Sequence, residues 1–222
     1  MNMKKLLGAS VVLLVCSGVE AVPITYTFTG SVVEIDPSLS STFNTSQTLS
    51  GSFTYESSTA GDLYGSDASG FSNYYGALTD FVMTIGSYSA SPPFGSDIFS
   101  GVQVVNNFGA VDRFVLSSRL TGAQFNGFNP LGFLSLDDFA GTAFSSTSLS
   151  DLPNLTGWPD GANHFTQWYL AFSRDGSAPR VAGNLTSITQ VSTVPEPGSL
   201  ALFASALAAL LGSRIRRRWP TR

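Results

Sequence analysis

The one histidine of this 222-residue chain is the first candidate for chemistry, because imidazole is the commonest general base and metal ligand. A serine and an acid close to His164 would make a hydrolase triad, and Asp160 lies just before it in the sequence. The Gly-x-Ser-x-Gly turn that exposes such a serine does not occur. We therefore expect His164 to be a loop residue beside Trp158, Phe165 and Trp168, and we assign no catalytic residue.

Carboxylates are the second candidates, because a pair of them about 5 to 9.5 Å apart hydrolyses glycosides and a cluster of them binds calcium. The candidates lie in Gly- and Ser-rich stretches: Asp62, Asp67, Asp137, Asp138 and Asp151. Neighbouring strand residues point to opposite faces, so Asp137 and Asp138 do not form a catalytic pair by themselves. No Asp-x-Asp-x-Asp-Gly calcium loop is present. The sequence favours solvated loop carboxylates, with no metal site and no cofactor.

Aromatic residues near the histidine suggest a third activity, stacking on sugar rings. Trp168, Leu170 and Phe172 alternate with other residues, which predicts that they face a core. Trp158 and Tyr169 remain as the surface rings and as the candidates for glycan contact.

Alternation of apolar and polar residues is typical of strands and dominates the chain between its two ends. Eight segments show it: 24–28, 49–55, 80–87, 98–105, 112–120, 131–136, 167–172 and 181–191. Turn-forming sequences such as Asn129-Pro130 separate them. The pattern predicts an all-β fold, an antiparallel β-sandwich or jelly roll of about eight strands. Residues 56–75 and 137–163 are rich in Gly, Ser and Asp and are predicted to be long loops, where a binding site would be expected.

Residues 22–193 are long enough for one domain with its own core. They contain no lysine, four arginines and thirteen carboxylates, which gives a net charge of −9. This charge repels phosphate backbones, so a nucleic acid is not expected as a partner.

The N-terminus has the pattern of a secretion signal. Lys4 and Lys5 precede a short apolar run, and a small residue, Ala21, marks the predicted cleavage site, so residues 1–21 form the signal peptide. Cys16 could instead be a lipid-attachment site, but Val15 stands where a small residue is needed. Cleavage after Ala21 would remove the only cysteine and leave no disulfide.

The C-terminus, residues 194–218, has three parts. A tripeptide at 195–197 comes first, and a basic tail at 214–218 comes last. Between them lies an apolar stretch at 198–212, which predicts a short transmembrane helix. The tripeptide is Pro195, Glu196 and Pro197, and the basic stop consists of Arg214, Arg216, Arg217 and Arg218. The arginines favour the cytoplasmic side, which leaves the rest of the chain outside.

This tail resembles the PEP-CTERM sorting domain. The resemblance implies export by the secretion machinery, processing near the motif by an exosortase, and a setting of exopolysaccharide. Anchorage in the membrane through the tail precedes processing, and a cell-surface or extracellular location follows it. The central domain is similar to PEP-CTERM β-proteins without a known activity, through segments such as residues 51–55 and 134–138.

These features favour a surface-sorted or secreted, non-enzymatic structural or adhesive protein of an exopolysaccharide or biofilm matrix. An extracellular carbohydrate-active enzyme is the alternative, and a permanently membrane-anchored scaffold is a third class.

Overall fold

The computed structural model describes residues 23–92, 100–172 and 179–191, and these residues form eleven strands. The strands are β1 (Pro23–Ile35), β2 (Thr48–Glu56), β3 (Asp62–Ser66), β4 (Ser69–Tyr75), β5 (Leu78–Ile85), β6 (Tyr88–Ala90), β7 (Gly101–Asn106), β8 (Asp112–Arg119), β9 (Leu131–Asp138), β10 (His164–Ala171) and β11 (Arg180–Val191). Three 3₁₀ turns lie at Pro37–Leu39, Leu149–Asp151 and Trp158–Asp160.

All eleven strands belong to one antiparallel sheet in the order β3-β4-β7-β8-β9-β10-β11-β1-β2-β5-β6. The sheet curls around a single core, because Phe53 of β2 lies 6.0 Å from Phe114 of β8, five strands away in that order. A bridge between Ser91 and Thr121 brings the β6 end of the sheet against the segment that follows β8. The predicted all-β antiparallel fold is confirmed, in the form of a single curled sheet.

Each of the eight segments predicted from alternation overlaps one strand, although several strands extend beyond the predicted bounds. The additional strands are β3, β4 and β6, and the first two of these correct the prediction that residues 56–75 are a loop. They form a hairpin in which β4 pairs with β7. All five residues of β3 are exposed, so this strand has no apolar face and no alternation to detect.

The core is rich in aromatic rings, and Trp168 lies at its centre with no exposed surface. Two glycines make room for this indole. A Cβ on Gly30 would lie 2.9 Å from the indole Nε1, and one on Gly183 would lie 3.0 Å from its ring and only 1.8 Å from the Ser31 carbonyl oxygen. The indole N–H donates to the Asn184 carbonyl oxygen at 3.2 Å. Trp168, Leu170 and Phe172 are all fully buried, which confirms their predicted core positions.

The segment between β9 and β10, residues 139–163, folds inward and completes this core. Four of its apolar side chains are buried: Phe144, Leu149, Leu155 and Trp158. The Tyr26 hydroxyl of β1 accepts a hydrogen bond from the Leu155 backbone N–H at 3.2 Å, and the Tyr74 hydroxyl of β4 donates to the Thr147 carbonyl oxygen at 2.5 Å. The segment is irregular, as predicted, but it is part of the hydrophobic core.

Among the described residues no helix is long and apolar enough to cross a membrane. The predicted signal helix and C-terminal transmembrane helix both lie outside the described residues.

Candidate functional site

Asp137 is buried at the end of β9, with 6% of its surface exposed, which corrects the prediction of a solvated loop carboxylate. Arg113 on β8 donates to both of its oxygens, from Nε at 2.8 Å and from Nη2 at 3.1 Å. The Ser135 hydroxyl donates to the same carboxylate at 2.6 Å. The geometry is that of a two-point ion pair joining neighbouring strands.

Asp138 is also buried, with 1% of its surface exposed, and it caps the turn that follows β9. It accepts hydrogen bonds from the backbone N–H groups of Ala140 at 2.8 Å and Thr142 at 2.9 Å. Burial acts to raise the pKa of Asp138, but the bonds from Thr142 and Ala140, with the nearby His164, hold this pKa below its usual value. Charged Asp138 therefore stabilises the turn.

Asp112, which the sequence analysis did not single out, is a third buried carboxylate at the same end of the sheet. Its two oxygens accept from the backbone N–H groups of Asn107 and Phe144, each at 2.7 Å. It ties the β7–β8 turn to the segment at residues 139–163. All three buried aspartates thus have structural hydrogen bonds.

His164 opens β10 and stacks on Trp158, with ring centroids 4.2 Å apart and planes at 15°. Its Nδ1 lies 2.9 Å from the Trp158 carbonyl oxygen. Trp158 is only 5% exposed, so the prediction that it is a surface ring is wrong. The 3₁₀ turn at Trp158–Asp160 directs the indole inward, where it packs on Phe144. His164 lies beside Trp158, as predicted, but it is the first residue of strand β10 and not a loop residue.

Tyr169 is half-buried on the side of β10 that faces away from the core. It stacks on Phe133 of β9 with centroids 4.5 Å apart and planes at 7°, and the Arg180 guanidinium of β11 lies 6.0 Å from its ring centre. Phe133 and Arg180 come from the two strands that flank β10, so Tyr169 is held from both sides.

The remaining acidic candidates, Asp62, Asp67 and Asp151, are exposed. Asp151 accepts from the hydroxyls of Ser146 and Ser150, while Asp67 accepts from the Thr147 hydroxyl at 3.0 Å. Over residues 23–92, 100–172 and 179–191 there is no cluster of three or more His, Cys, Asp or Glu side chains that could hold a metal ion.

The side of the sheet away from the core, on strands β4, β7, β8, β9 and β10, is called the outer face here. Strand register places its side chains in rows that run across the strands. The aromatic row comprises Tyr75, Gly101, Ser117, Phe133 and Tyr169. The neighbouring amide row comprises Asn73, Gln103, Val115, Ser135 and Gln167.

A surface groove of about 250 Å³ lies where these two rows cross β4, β7 and β8. Tyr75, which is 58% exposed, stands at its β4 side. Gly101, Ser117 and Val115 are small and leave the space open, and the Gln103 side-chain N–H donates to the Asn73 side-chain oxygen at 2.8 Å along the groove. Rings beside convergent polar groups are the usual composition of a small-ligand site.

Sequence reasoning missed this groove because it treated residues 56–75 as a loop. The sequence did contain a strand pattern at this point. Ser72 and Tyr74 are buried, and they alternate with Phe71, Asn73 and Tyr75, which are at least partly exposed. Ser72 gave too weak an apolar period to detect.

Comparison with protein families identifies a PEP-CTERM protein-sorting motif at residues 193–218. No curated protein and no solved structure matched the chain. The matched range contains Pro195, Glu196 and Pro197 and the four arginines of the basic stop.

The motif places the chain in a functional class: it is an exported protein with a sorting signal. The predicted PEP-CTERM resemblance is confirmed, and the signal implies exosortase processing and a cell-surface or extracellular fate. The separate roles of Glu196 and the arginines, and cleavage at Ala21, concern residues outside the described ranges and stay predictions.

Proposed function

We propose that the exported domain is a non-enzymatic structural or adhesive protein that contacts exopolysaccharide through its outer face. The observation that carries this proposal is the pair of rows on that face. An exposed ring, Tyr75, and a partly exposed ring, Phe133, flank small residues, and the uncharged side-chain amides of Asn73 and Gln103 lie beside them. Hydroxyl-rich polymers bind to rings and amides arranged in this way.

The buried carboxylates support a binding role over hydrolysis. Asp137 is neutralised by Arg113, and Asp112 and Asp138 accept backbone hydrogen bonds in turns. A glycosidase needs one carboxyl group to donate a proton and a second to act as base or nucleophile. Hydrogen bonds that stabilise the charged form of Asp138 oppose the first of these roles.

The tail completes the proposal. Before processing, residues 198–212 hold the chain in the membrane, with Arg214, Arg216, Arg217 and Arg218 on the cytoplasmic side. After processing, the domain is displayed at the surface or released into a biofilm matrix. A permanently anchored scaffold would keep its tail.

Cell fractionation followed by intact-mass spectrometry tests the sorting part of the proposal. The exported protein should have lost both ends, near Ala21 and near Pro197, and should co-sediment with the host's own matrix polysaccharide. A retained tail would favour the anchored scaffold. In affinity electrophoresis, absence of retardation of the processed protein by that polysaccharide would contradict the adhesive role. Release of reducing sugar from the polysaccharide by the processed protein would instead indicate a carbohydrate-active enzyme.

A further inference from the structure

We propose that the groove at Tyr75, together with the aromatic row that continues from it to Phe133, is the polysaccharide-binding site and that this site selects neutral glycans. This inference rests on the proposed function and specifies the site and the ligand class.

The aromatic row provides two rings with a gap between them. Cross-strand pairs run from Tyr75 to Gly101, from Gly101 to Ser117 and from Ser117 to Phe133. Three interstrand steps separate the two rings by about 14 Å along the sheet. Glycine and serine occupy the positions between them, so a flat ligand can lie against the sheet. The negative face of an aromatic ring attracts the polarised C–H groups of a sugar ring.

The amide row provides hydrogen bonds beside this gap. The bond between Gln103 and Asn73 fixes both side chains but uses only one donor and one acceptor. Each amide therefore retains hydrogen-bonding groups for ligand hydroxyls. Because the two amides already hold each other in place, less side-chain entropy is lost on binding.

The ring on the far side of the gap is also held in advance. Phe133 stacks on Tyr169, and Arg180, which lies over Tyr169, is itself fixed by the Glu34 carboxylate at 3.2 Å. Glycan contact was predicted for Tyr169 on β10, and we assign this contact to Phe133 on β9 instead. Tyr169 supports Phe133, and Phe133 lies nearer the ligand.

Charge selects a neutral ligand. Among the described residues that line the groove, none carries a charge. The net charge of −9 on residues 22–193 repels acidic polymers. Two arginines lie on the outer face of β8: the guanidinium of Arg113 is paired with Asp137, and Arg119, next to Ser117 on that face, also has an interaction partner. An uronic-acid polymer would meet no free cation from these residues and an unfavourable overall field.

Affinity gel electrophoresis of the exported, processed protein tests the site. The probes are the neutral polymers dextran, galactomannan and mixed-linkage β-glucan, the acidic polymers alginate and polygalacturonate, and the host's matrix polysaccharide. Tyr75→Ala and Gln103→Ala should each weaken retardation by a neutral polymer by at least about tenfold. Tyr64→Ala is the matched control, because Tyr64 is a 54% exposed ring on β3 outside the groove. Thermal melts verify that all variants fold.

The outcomes separate the two proposals. Retardation by neutral polymers that is lost in Tyr75→Ala and kept in Tyr64→Ala supports the groove. Equal retardation of the wild-type protein and Tyr75→Ala overturns the groove but leaves the adhesive function standing. Retardation by acidic polymers alone overturns the neutral class. Failure to bind any polymer, including the host's own, overturns the adhesive function itself.

Discussion

Arg113 on β8 and Asp137 on β9 form a two-point ion pair on the outer face. Arg113 keeps 43% of its side-chain surface exposed, whereas Asp137 keeps 8%. The buried Asp137 carboxylate therefore needs the charge of Arg113 to compensate its own. The Arg113 guanidinium is still hydrated by solvent and does not need Asp137 in the same way. The two sides of this pair should respond differently to mutation.

Removing the arginine should destabilise the domain more than removing both partners. Arg113→Ala leaves a buried carboxylate with only Ser135 as a side-chain donor, and we expect a loss of about 1 to 3 kcal/mol in the free energy of unfolding. The double variant Arg113→Ala/Asp137→Ala should recover part of this loss. Urea denaturation of all four proteins in a double-mutant cycle measures the coupling. Strictly additive effects would show that the ion pair contributes nothing.

The stability contributed by Asp138 should disappear in acid. Its pKa is lowered in the fold, so its contribution is present above the unfolded value of about 3.9 and is lost as the pH falls through the folded pKa. Asp138→Asn should cost about 1 to 2 kcal/mol at pH 7, and the difference from wild type should shrink below about pH 4. Denaturation at a series of pH values measures this. The control Asp160→Asn changes an exposed carboxylate and should shift stability by less than about 0.5 kcal/mol. A pH-independent difference for Asp138→Asn would refute the account.

The segment at residues 139–163 should behave as core. Leu155 has no exposed surface, and truncation in Leu155→Ala should cost about 2 to 5 kcal/mol. Leu63→Ala is the control, because Leu63 on β3 is 46% exposed to solvent, and this substitution should cost less than about 1 kcal/mol. Thermal unfolding of the two variants compares them. Similar costs would mean that the segment does not pack as described.

Processing at the tail should depend on Glu196. This residue belongs to the tripeptide inside the matched sorting motif, so Glu196→Ala should leave the tail attached in the exosortase-containing host. Ser192→Ala, just outside the matched range, is the control and should be processed normally. Intact masses from membrane and extracellular fractions distinguish the two forms. Normal maturation of the Glu196 variant would remove this residue from the recognised signal.

Alternation was sufficient to predict the strands whose two faces differ. β8 is the clearest case, since its residues alternate buried and half-buried throughout. It was insufficient for β3, which is exposed on both faces, and for β6, which has three residues. β3 pairs with β4 and β6 pairs with β5, each across a short turn. Their strand conformation comes from this main-chain pairing, which leaves no apolar period in the side chains.

Trp158 shows why the candidate site could be predicted only in part. Its loop composition suggested exposure, but the 3₁₀ turn after Gly157 sends the indole into the core. Gly157 has φ of 77°, a conformation that depends on the folded turn. The groove at Tyr75 requires β4, β7 and β8 to be neighbours, although β5 and β6 separate β4 from β7 in the chain. Spacing along one strand carries no information about that order.

The pairing of β1 with β11 has a consequence for how the domain is presented. Val191, where the described chain leaves the sheet toward the sorting motif, pairs with Thr25 near the start of β1. Pro23, the first described residue, lies two residues before Thr25 and therefore at the same end of this strand pair. The segments that carry the two processing signals thus join the domain at one place, and removal of both would trim the domain at one end only.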